Sequence, residues 1–263
     1  MVSDDPDDLD AGPLKVLGRI TVASNATFLG RIGTTRVVYK PVAGEKPLWD
    51  FPDGTLARRE RAAYLVSEAT GWGVVPRTWL RDGPLGEGMV QLWQEAPAGA
   101  DGAALDPVDL VPADAVPATG WRTVLDGEDG DGRHVTLVHE DSPALRRMAV
   151  LDVLLNNADR KGGHVLPLAD GHRAGVDHGV TFHVEPRLRT VLWGWLGEPL
   201  TADERAGVDR VRDGLAGDLG TALGALLDPT EVAALAVRST RLLDAGVFPS
   251  PEGEMPAVPW PLF

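Results

Sequence analysis

Residues 156–164 read Asn156-Asn157-Ala158-Asp159-Arg160-Lys161-Gly162-Gly163-His164 and follow directly on a strongly apolar run. This stretch combines two amides, one carboxylate, two cations and an imidazole, which is more polar chemistry than a helix cap requires. A second short cluster, Val176-Asp177-His178-Gly179, lies a little downstream. We predict that the two clusters form one functional site in which Asp159 and Asp177 face each other.

The residues on either side of residues 156–164 predict how this stretch is held. Ser142-Pro143 is typical of a helix start, with a hydroxyl N-cap and proline at the first helical position. The residues that share one face of this helix predict that it is buried; they are Leu145, Met148, Asp152 and Leu155. Residues 165–176 then have the pattern of a small hairpin, which would return the chain and bring Asp177 close to Asp159.

The N-terminal third of the chain is rich in strand patterns. Three short strands are predicted at residues 15–22, 28–32 and 36–41, and two more at 74–80 and 89–94, with a helix over Leu56 to Thr70 between them. Capped helices are predicted after Thr201 and after Asp228. Because the strands precede the helices, we predict an α+β chain with a strand-rich N-terminal lobe and a helical C-terminal lobe.

We expect one functional domain with four segments. Residues 1–13 are predicted to be a disordered acidic tail, 14–96 the N-lobe, 97–250 the C-lobe, and 251–263 a proline-rich tail. Residues 96–132 are predicted to be the lobe junction and an irregular excursion. Within it, residues 126–132 favour a hairpin turn over a calcium loop, because their acids lack the regular spacing of such a loop.

The composition excludes several classes of function. The 263 residues carry a formal net charge of −14, which disfavours nucleic acid and anionic membranes as partners. There is no cysteine, so disulfides, thiolate zinc sites and a cysteine nucleophile are excluded. No stretch approaches the roughly 18 apolar residues of a membrane helix, and the start is acidic where a secretory signal would be basic. We therefore expect a cytoplasmic protein without integral membrane association.

Two acids joined by a hairpin, with a lysine at the end of a strand in another lobe, suit phosphoryl transfer from a nucleotide. That reaction requires neutralisation of the triphosphate charge, one or two divalent metals, and a group that orients the nucleophile. We predict ATP and Mg²⁺ as cofactors. In this scheme Asp177 binds the metal, since Mg²⁺ prefers carboxylate oxygen, and Asp159 accepts the proton of the acceptor.

The predicted nucleotide contacts come from the N-lobe. Lys40 would contact the α- or β-phosphate, and Glu60 on the predicted helix would hold Lys40 in place; a partly exposed helix glutamate paired with Tyr64 or an arginine is the simpler alternative for Glu60. The turn between the first two strands would cover the phosphates with hydroxyl and backbone donors. The remaining predicted contacts are Ser24, Asn25 and Thr27 in this turn, and Gln94 at the end of the fifth strand.

Both clusters resemble motifs of known kinases. Residues 159–164 resemble the Asp-Arg-His-x-x-Asn catalytic loop of phosphatidylinositol 3- and 4-kinases and of HipA-type kinases, and residues 176–179 resemble their metal-binding Asp-Phe-Gly motif. The whole sequence is similar to an actinobacterial family distantly similar to these kinases, with the same order of elements from about Leu14 to Ala245. The resemblance implies a two-lobed, protein-kinase-like fold. It also implies ATP-dependent transfer of the γ-phosphate to a protein, lipid or small-molecule hydroxyl.

The sequence departs from those kinases at two positions. Lys161 stands where they have histidine, and we include it with Asp159 among the predicted catalytic residues. His164 stands where they have a metal-binding asparagine. Since imidazole is a better ligand for Mn²⁺ than for Mg²⁺, His164 predicts either a Mn²⁺ preference or a single metal with Asn157 assisting. The resemblance does not transfer the lipid substrate, and the sequence does not identify the phosphate acceptor.

Two other functions stay open at this point. A nucleotide-binding pseudokinase or adaptor of the same fold would explain the two substitutions, and transfer of adenylate instead of phosphate is a variant of the same chemistry. A metal-dependent hydrolase would use the histidines and the acid that lie within twenty residues of one another, although no pair has the His-x-x-x-His spacing of one helical face. These residues are His164, His172, Asp177, His178 and His183.

Overall fold

The computed structural model describes residues 6–21, 25–52, 54–95, 106–252 and 255–263. Its N-terminal part is an antiparallel five-stranded sheet in the order β1-β2-β3-β5-β4. The strands are β1 (Leu14–Arg19), β2 (Phe28–Ile32), β3 (Thr35–Pro41), β4 (Thr78–Gly83) and β5 (Gly86–Leu92). The predicted first three strands are confirmed, with ends shifted by up to three residues at β1.

One face of this sheet has its own small core. Along β3, Val37 and Tyr39 are buried against Ile32, Trp79 and Val90. Because side chains alternate between the two faces of a strand, Lys40 lies on the face opposite Tyr39. The sheet thereby presents Lys40 on the side of the C-terminal helices, where its partners lie.

Helix α2 (Leu56–Thr70) joins the sheet to the helical part of the molecule. It begins and ends where the sequence predicts, and its C-cap Gly71 adopts φ 72°, a conformation that glycine tolerates without strain. Its buried residues Ala63 and Val66 belong to the large core that also contains α3. On the same side, Arg59 donates to the carbonyl oxygen of Thr181 and to Oε1 of Glu231, each at 2.6 Å.

The strand predicted over residues 74–80 is wrong at its beginning. Val74 and Val75 are buried in the helical core, and the backbone N–H of Val75 donates to Oγ of Ser67 at 3.0 Å. These two residues therefore serve the packing of α2, and β4 starts only at Thr78. Two residues then connect β4 to β5.

A second sheet occupies part of the segment that we predicted to be irregular. Strands β6 (Val108–Pro112), β7 (Trp121–Glu128) and β8 (His134–Glu140) pair antiparallel in the order β6-β8-β7. The predicted turn between β7 and β8 is present, closed by the bond from the N–H of Asp129 to the carbonyl of Arg133 at 3.0 Å. The prediction of an irregular excursion is wrong for residues 108–112 and 121–128, which pair with β8, whereas residues 113–120 between them contain no strand.

Helix α3 (Pro143–Leu155) confirms the predicted buried helix before residues 156–164. Oγ of Ser142 accepts from the N–H of Leu145 at 3.2 Å, as a hydroxyl N-cap does. The helix ends at Asn156, which adopts φ 51°, a left-handed conformation that asparagine tolerates better than most residues. The predicted hairpin follows as β9 (Val165–Pro167) and β10 (Arg173–Gly175).

Three helices complete the chain: α4 (Ala202–Gly214), α5 (Asp218–Gly224) and α6 (Pro229–Ala245). The capping boxes at Thr201 and Asp228 are both present, and Gly246 ends α6 with φ 66°. Helix α5 is absent from the sequence-based prediction. The helical core buries the aromatic ring of Trp195 completely.

The start of the chain differs from the predicted disordered tail. Residues Pro6–Ala11 form a short helix, α1, that is tied to β4: the guanidinium of Arg81 donates to the carbonyls of Leu9 in the helix and of Gly12 just after it, each at 2.9 Å. Residues 1–5 lie outside the described part. Among the helices that the structure describes, none has the length and apolar composition needed to cross a membrane.

Candidate active site

Lys40 joins two carboxylates that come from distant parts of the chain. Its Nζ donates to Oε1 of Glu60 and to Oδ1 of Asp177, each at 2.7 Å. Burial alone would lower the pKa of Lys40, but the charges of Asp177 and Glu60 outweigh it and raise that pKa above its usual range. The cluster thus holds a permanent cation beside two acids at the surface where the sheet meets the helices.

The three side chains of this cluster differ in exposure. The side chain of Glu60 is 2% exposed and that of Lys40 is 20% exposed, whereas that of Asp177 is 48% exposed. Burial raises the pKa of Glu60, and Lys40 acts against this increase. Lys40 lowers the pKa of Asp177 well below its usual range, so Asp177 is ionised at neutral pH. Asp177 is therefore the acid of the cluster that a ligand from solvent can reach.

The backbone of Asp177 is in a left-handed conformation, with φ 61°. Such values are uncommon outside glycine and occur at functional sites, where the surrounding structure fixes them. Here the fixing contact is the next residue: the N–H of His178 donates to Oε2 of Glu60 at 2.9 Å. Glu60 therefore holds both Lys40 and the backbone that follows Asp177.

His164 links residues 156–164 to Asp177. Its Nε2 lies 3.5 Å from Oδ2 of Asp177, the oxygen that Lys40 does not take. Burial lowers the pKa of His164 to about 4, so the imidazole is neutral at neutral pH. Oδ2 of Asp177 and the imidazole of His164 form one side of a polar site next to the lysine cluster.

Asp159 lies near enough to Asp177 for the charge of Asp177 to act on its pKa. Burial raises the pKa of Asp159, the charge of Asp177 adds to the increase, and Lys161 opposes it. Nζ of Lys161 is 3.5 Å from Oδ2 of Asp159, and the Asp159 side chain is 33% exposed. The structure therefore brings Asp159, Lys161, His164, Asp177, Lys40 and Glu60 together at one place.

A buried polar network holds the loop that carries Asp159. Asp152 on α3 and Arg160 are both 0% exposed and form a two-pronged ion pair, with Nε and Nη2 of Arg160 each 2.9 Å from a carboxylate oxygen. Nη2 of Arg160 also lies 2.6 Å from Nε2 of His178. This network ties residues 156–164 to the segment around Asp177. Sequence reasoning did not assign it a function, although Asp152 on the buried face of a predicted helix was a visible signal.

Asn157 belongs to this network. Its side chain is completely buried, its Nδ2 donates to Oδ1 of Asp152 at 2.9 Å, and its Oδ1 accepts from the N–H of Asp159 at 3.0 Å. Both ends of the amide are thus used within the loop. The predicted role of Asn157 as a metal ligand does not agree with this placement, and the side chain instead orients the backbone of Asp159.

The other predicted nucleotide contacts lie in the N-terminal sheet region. Thr27 is 4% exposed and its Oγ1 donates to the carbonyl of Asn25 at 3.3 Å, while Oδ1 of Asn25 accepts from the N–H of Lys46 at 2.9 Å. Ser24 lies outside the described residues. Nε2 of Gln94 makes one long contact, 3.4 Å, to the carbonyl of Leu92. Among the hydrogen bonds of the described residues, none joins these residues to Lys40, Glu60 or Asp177.

The histidines do not converge on a metal site. His172 contacts the carbonyl of Gly73 at 2.9 Å, His178 is buried against Arg160, and the ring of His183 packs edge-on against Phe51. In the described part of the chain, no group of three or more acids and histidines is arranged to hold a metal. Asp177 and His164 are two such donors that lie side by side in the candidate site, with Oδ2 and Nε2 3.5 Å apart.

The C-terminal segment, residues 255–263, lies against the same loop. The N–H of Gly162 donates to the carbonyl of Leu262 at 2.8 Å, and a Cβ at position 162 would overlap the ring of Phe263. Nε1 of Trp193 donates to the carbonyl of Ala257 at 2.8 Å. A side chain at position 162 would therefore displace the ring of Phe263, which is 52% exposed.

Comparison with known proteins gives one close relative. No family model matches the chain. A likeness to the Helicobacter pylori proinflammatory kinase CtkA covers 92% of this chain and 94% of that one, with 12% identity and a TM-score of 0.47, a score that does not by itself establish a common fold. The chain is 52% identical over 260 residues to Protein Rv2133c of Mycobacterium tuberculosis, which covers 96% of this chain and 93% of that protein. The chain therefore belongs to the same protein family as Rv2133c.

Proposed function

We propose that the protein is an ATP-dependent phosphotransferase. The observation that carries the proposal is the pair of 2.7 Å contacts from Lys40 on β3 to Glu60 on a helix and to Asp177 on a loop 137 residues away. A strand lysine paired with a helix glutamate, beside a metal-binding aspartate, is the arrangement with which protein kinases hold ATP.

The residues of the site have separate roles in this proposal. Lys40 binds phosphate oxygens of the nucleotide, and Glu60 fixes its position. Asp177, with His164 beside it, would hold the divalent metal, which neutralises charge on the transferred phosphate. Asp159 orients the acceptor hydroxyl and takes its proton, and its raised pKa suits a proton acceptor. Lys161 lies beside Asp159, and its charge favours the ionised carboxylate that can accept a proton.

Ligand-dependent stability tests the binding half of the proposal. ATP with Mn²⁺ at a hundredfold excess over the dissociation constant should raise the unfolding free energy by about 2.7 kcal/mol. Asp177→Asn should abolish this increase, because it removes the metal-binding charge. Binding that survives in Asp177→Asn at parental strength would contradict the assigned role.

Phosphate transfer from radiolabelled ATP to the protein itself or to water tests the catalytic half. Asp159→Ala should keep the stabilisation by ATP and Mn²⁺ and lose transfer by roughly 10²- to 10⁴-fold, the contribution of a general base. Transfer at the parental rate in Asp159→Ala would overturn the role of Asp159.

A second candidate is a nucleotide-binding protein of the same architecture that does not transfer phosphate. The observation that favours it is the neutral imidazole of His164 at 3.5 Å from the metal-binding carboxylate. The stability and transfer measurements distinguish the two candidates. A nucleotide-binding protein without transferase activity would be stabilised by ATP and Mn²⁺, yet show no phosphate transfer that depends on Asp159.

A further inference from the structure

The C-terminal segment, residues 255–263, bonds to two separate stretches of the candidate site. The carbonyl of Leu262 accepts from the N–H of Gly162 at 2.8 Å, in the loop that carries the predicted proton acceptor. The carbonyl of Ala257 accepts from the N–H of Thr190 at 3.1 Å. One segment is thereby attached to two stretches that are distant from each other in the chain.

The two stretches are also bonded to each other. The N–H of Arg160 donates to the carbonyl of Arg189 at 3.0 Å, and the N–H of Val191 donates to the carbonyl of Arg160 at 3.1 Å. Thr190 lies between these partners and donates its own N–H to the C-terminal segment. Backbone contacts therefore lead from the C-terminal segment through Thr190 to the residue that follows Asp159.

The bond from Gly162 to Leu262 closes the start of a short turn. Gly162 is the first residue of the 3₁₀ turn Gly162–His164, and N–H groups at the start of a helical turn have no partner within it. Gly162 is buried, so its N–H requires an acceptor from elsewhere in the chain. Leu262 supplies that acceptor, and the bonded N–H lies directly after Lys161 in the chain.

The C-terminal segment holds this backbone and leaves the acids of the site accessible. Among the hydrogen bonds and ion pairs of the described residues, none joins the segment to the side chain of Asp159, Lys161 or Asp177. The side chains of Asp159 and Asp177 are 33% and 48% exposed. The side chain of Leu262 packs against the large helical core, which anchors the segment. This placement suits a part that fixes the site and does not block it.

We propose that the C-terminal segment is a positioning element of the candidate site. By holding the backbone at Gly162 and Thr190, it keeps the carboxylate of Asp159 aligned with the acceptor. Its effect on catalysis rests on the phosphotransferase function proposed above, whereas its hold on residues 156–164 does not. Displacement of a catalytic group by about 1 Å can lower a rate about 10²-fold, so a loosened loop should transfer phosphate slowly even with nucleotide bound.

Removal of residues 262–263 tests the proposal, because it deletes the carbonyl that accepts from Gly162. Hydrogen–deuterium exchange followed by mass spectrometry should show faster exchange in residues 156–164. In the assay with radiolabelled ATP, kcat should fall about tenfold or more. The KM for ATP should stay within about twofold of the parental value, since Lys40, which would bind the nucleotide, is held by Glu60.

Two leucines that pack against the same core provide a matched comparison. Leu262→Ala weakens the anchor of the C-terminal segment, and Leu219→Ala removes the same side-chain atoms from α5, which contributes no residue to the candidate site. Both variants should lose unfolding free energy. Only Leu262→Ala should speed exchange in residues 156–164 and lower kcat, by about threefold or more. This comparison decides the proposal if removal of residues 262–263 prevents folding.

Three results would overturn the proposal. They are parental exchange of residues 156–164 in the folded variants at position 262, parental kcat in those variants despite faster exchange, and an equal loss of kcat in Leu219→Ala, which would assign the loss to general stability. A parent that transfers no phosphate would instead contradict the phosphotransferase function. Exchange in residues 156–164 would then still decide whether the C-terminal segment holds the loop.

Discussion

At the scale of single residues, Lys40 is held between two carboxylates of different exposure. Its pair with Asp177 lies near solvent and contributes little to stability, since exposed ion pairs are screened by water. Its pair with Glu60 is mostly buried, so each partner there depends on the other. The same lysine thereby has a buried partner on one side and a solvent-accessible partner on the other.

Removal of the lysine charge should therefore destabilise the protein through Glu60. We expect Lys40→Met to lower the unfolding free energy by about 3 kcal/mol at pH 8, because it leaves the buried Glu60 carboxylate without a cation. The loss should shrink toward pH 5, where Glu60, whose pKa is already raised by burial, can take up a proton. Urea unfolding at the two pH values measures both effects. An equal loss for Lys15→Met, at an exposed position on β1, would show that the effect does not come from Glu60.

At the scale of elements, helix α3 and residues 156–164 are joined by the buried pair of Asp152 and Arg160. Both side chains are 0% exposed, and Arg160 also contacts His178. This pair places Asp159 relative to Asp177, although neither partner needs to touch a ligand. The position of the candidate site thus depends on an ion pair one layer beneath it.

Asp152→Asn should cost about 3–5 kcal/mol of unfolding free energy, because it leaves the Arg160 guanidinium buried without its counter-charge. Arg147 and Asp203 form a matched pair at the surface, with side chains 39% and 53% exposed. Asp203→Asn should therefore cost less than about 1 kcal/mol. Urea unfolding of both variants measures the contrast, and similar losses would show that burial does not determine the contribution of these pairs.

The elements that the sequence predicts well are those with local signals. The end of α2, the start of α3 and both ends of α6 follow from side-chain caps and terminal glycines that act within a few residues. The strands β6 and β7 were missed because proline-, alanine- and glycine-rich residues flank them, although their own residues include the strand formers valine, threonine and tryptophan. The short helix α5 contains two glycines and has no side-chain cap, so it lacks a local signal.

The sequence predicts the two acids of the candidate site, but only some of the contacts that hold its side chains in place. Asp159 and Asp177 are visible as acids on either side of a hairpin, and the hairpin is present. The predicted contact of Glu60 with Lys40 is present, although it depends on how α2 packs between the sheet and the helical core, which local sequence alone does not encode. The side-chain amide of Asn157 is used in the same way: its hydrogen bonds to Asp152 and to the N–H of Asp159 also depend on tertiary packing.

At the scale of the whole molecule, His139 joins the second sheet to the helical part. It is completely buried, its Nε2 accepts from the N–H of Gly194 at 3.0 Å, and its ring lies 4.3 Å from that of Trp195. Burial lowers the pKa of His139 to about 4. Below pH 6.5 the unfolded chain takes up a proton that the folded chain excludes, so the stability present above pH 6.5 is lost as the pH falls toward 4.

We therefore expect His139 to account for about 2 kcal/mol of lost unfolding free energy between pH 8 and pH 5. His139→Gln should be less stable at pH 8 and should lose about 2 kcal/mol less than the parent over this range. His134, which is 80% exposed, is the control, since His134→Gln should keep the parental pH dependence. Urea unfolding across this range measures the slopes, and identical slopes for His139→Gln and the parent would contradict the role of the buried imidazole.

Asp177, beside Lys40, is proposed to bind a divalent metal together with a nucleotide. Electron paramagnetic resonance of Mn²⁺, with and without a non-hydrolysable ATP analogue, tests it most directly. The parent and Asp170→Asn, an exposed position in the turn between β9 and β10, should immobilise Mn²⁺ only when the analogue is present, and Asp177→Asn should leave Mn²⁺ free. Immobilised Mn²⁺ in Asp177→Asn at the parental level, or free Mn²⁺ in the parent with saturating analogue, would contradict the claim.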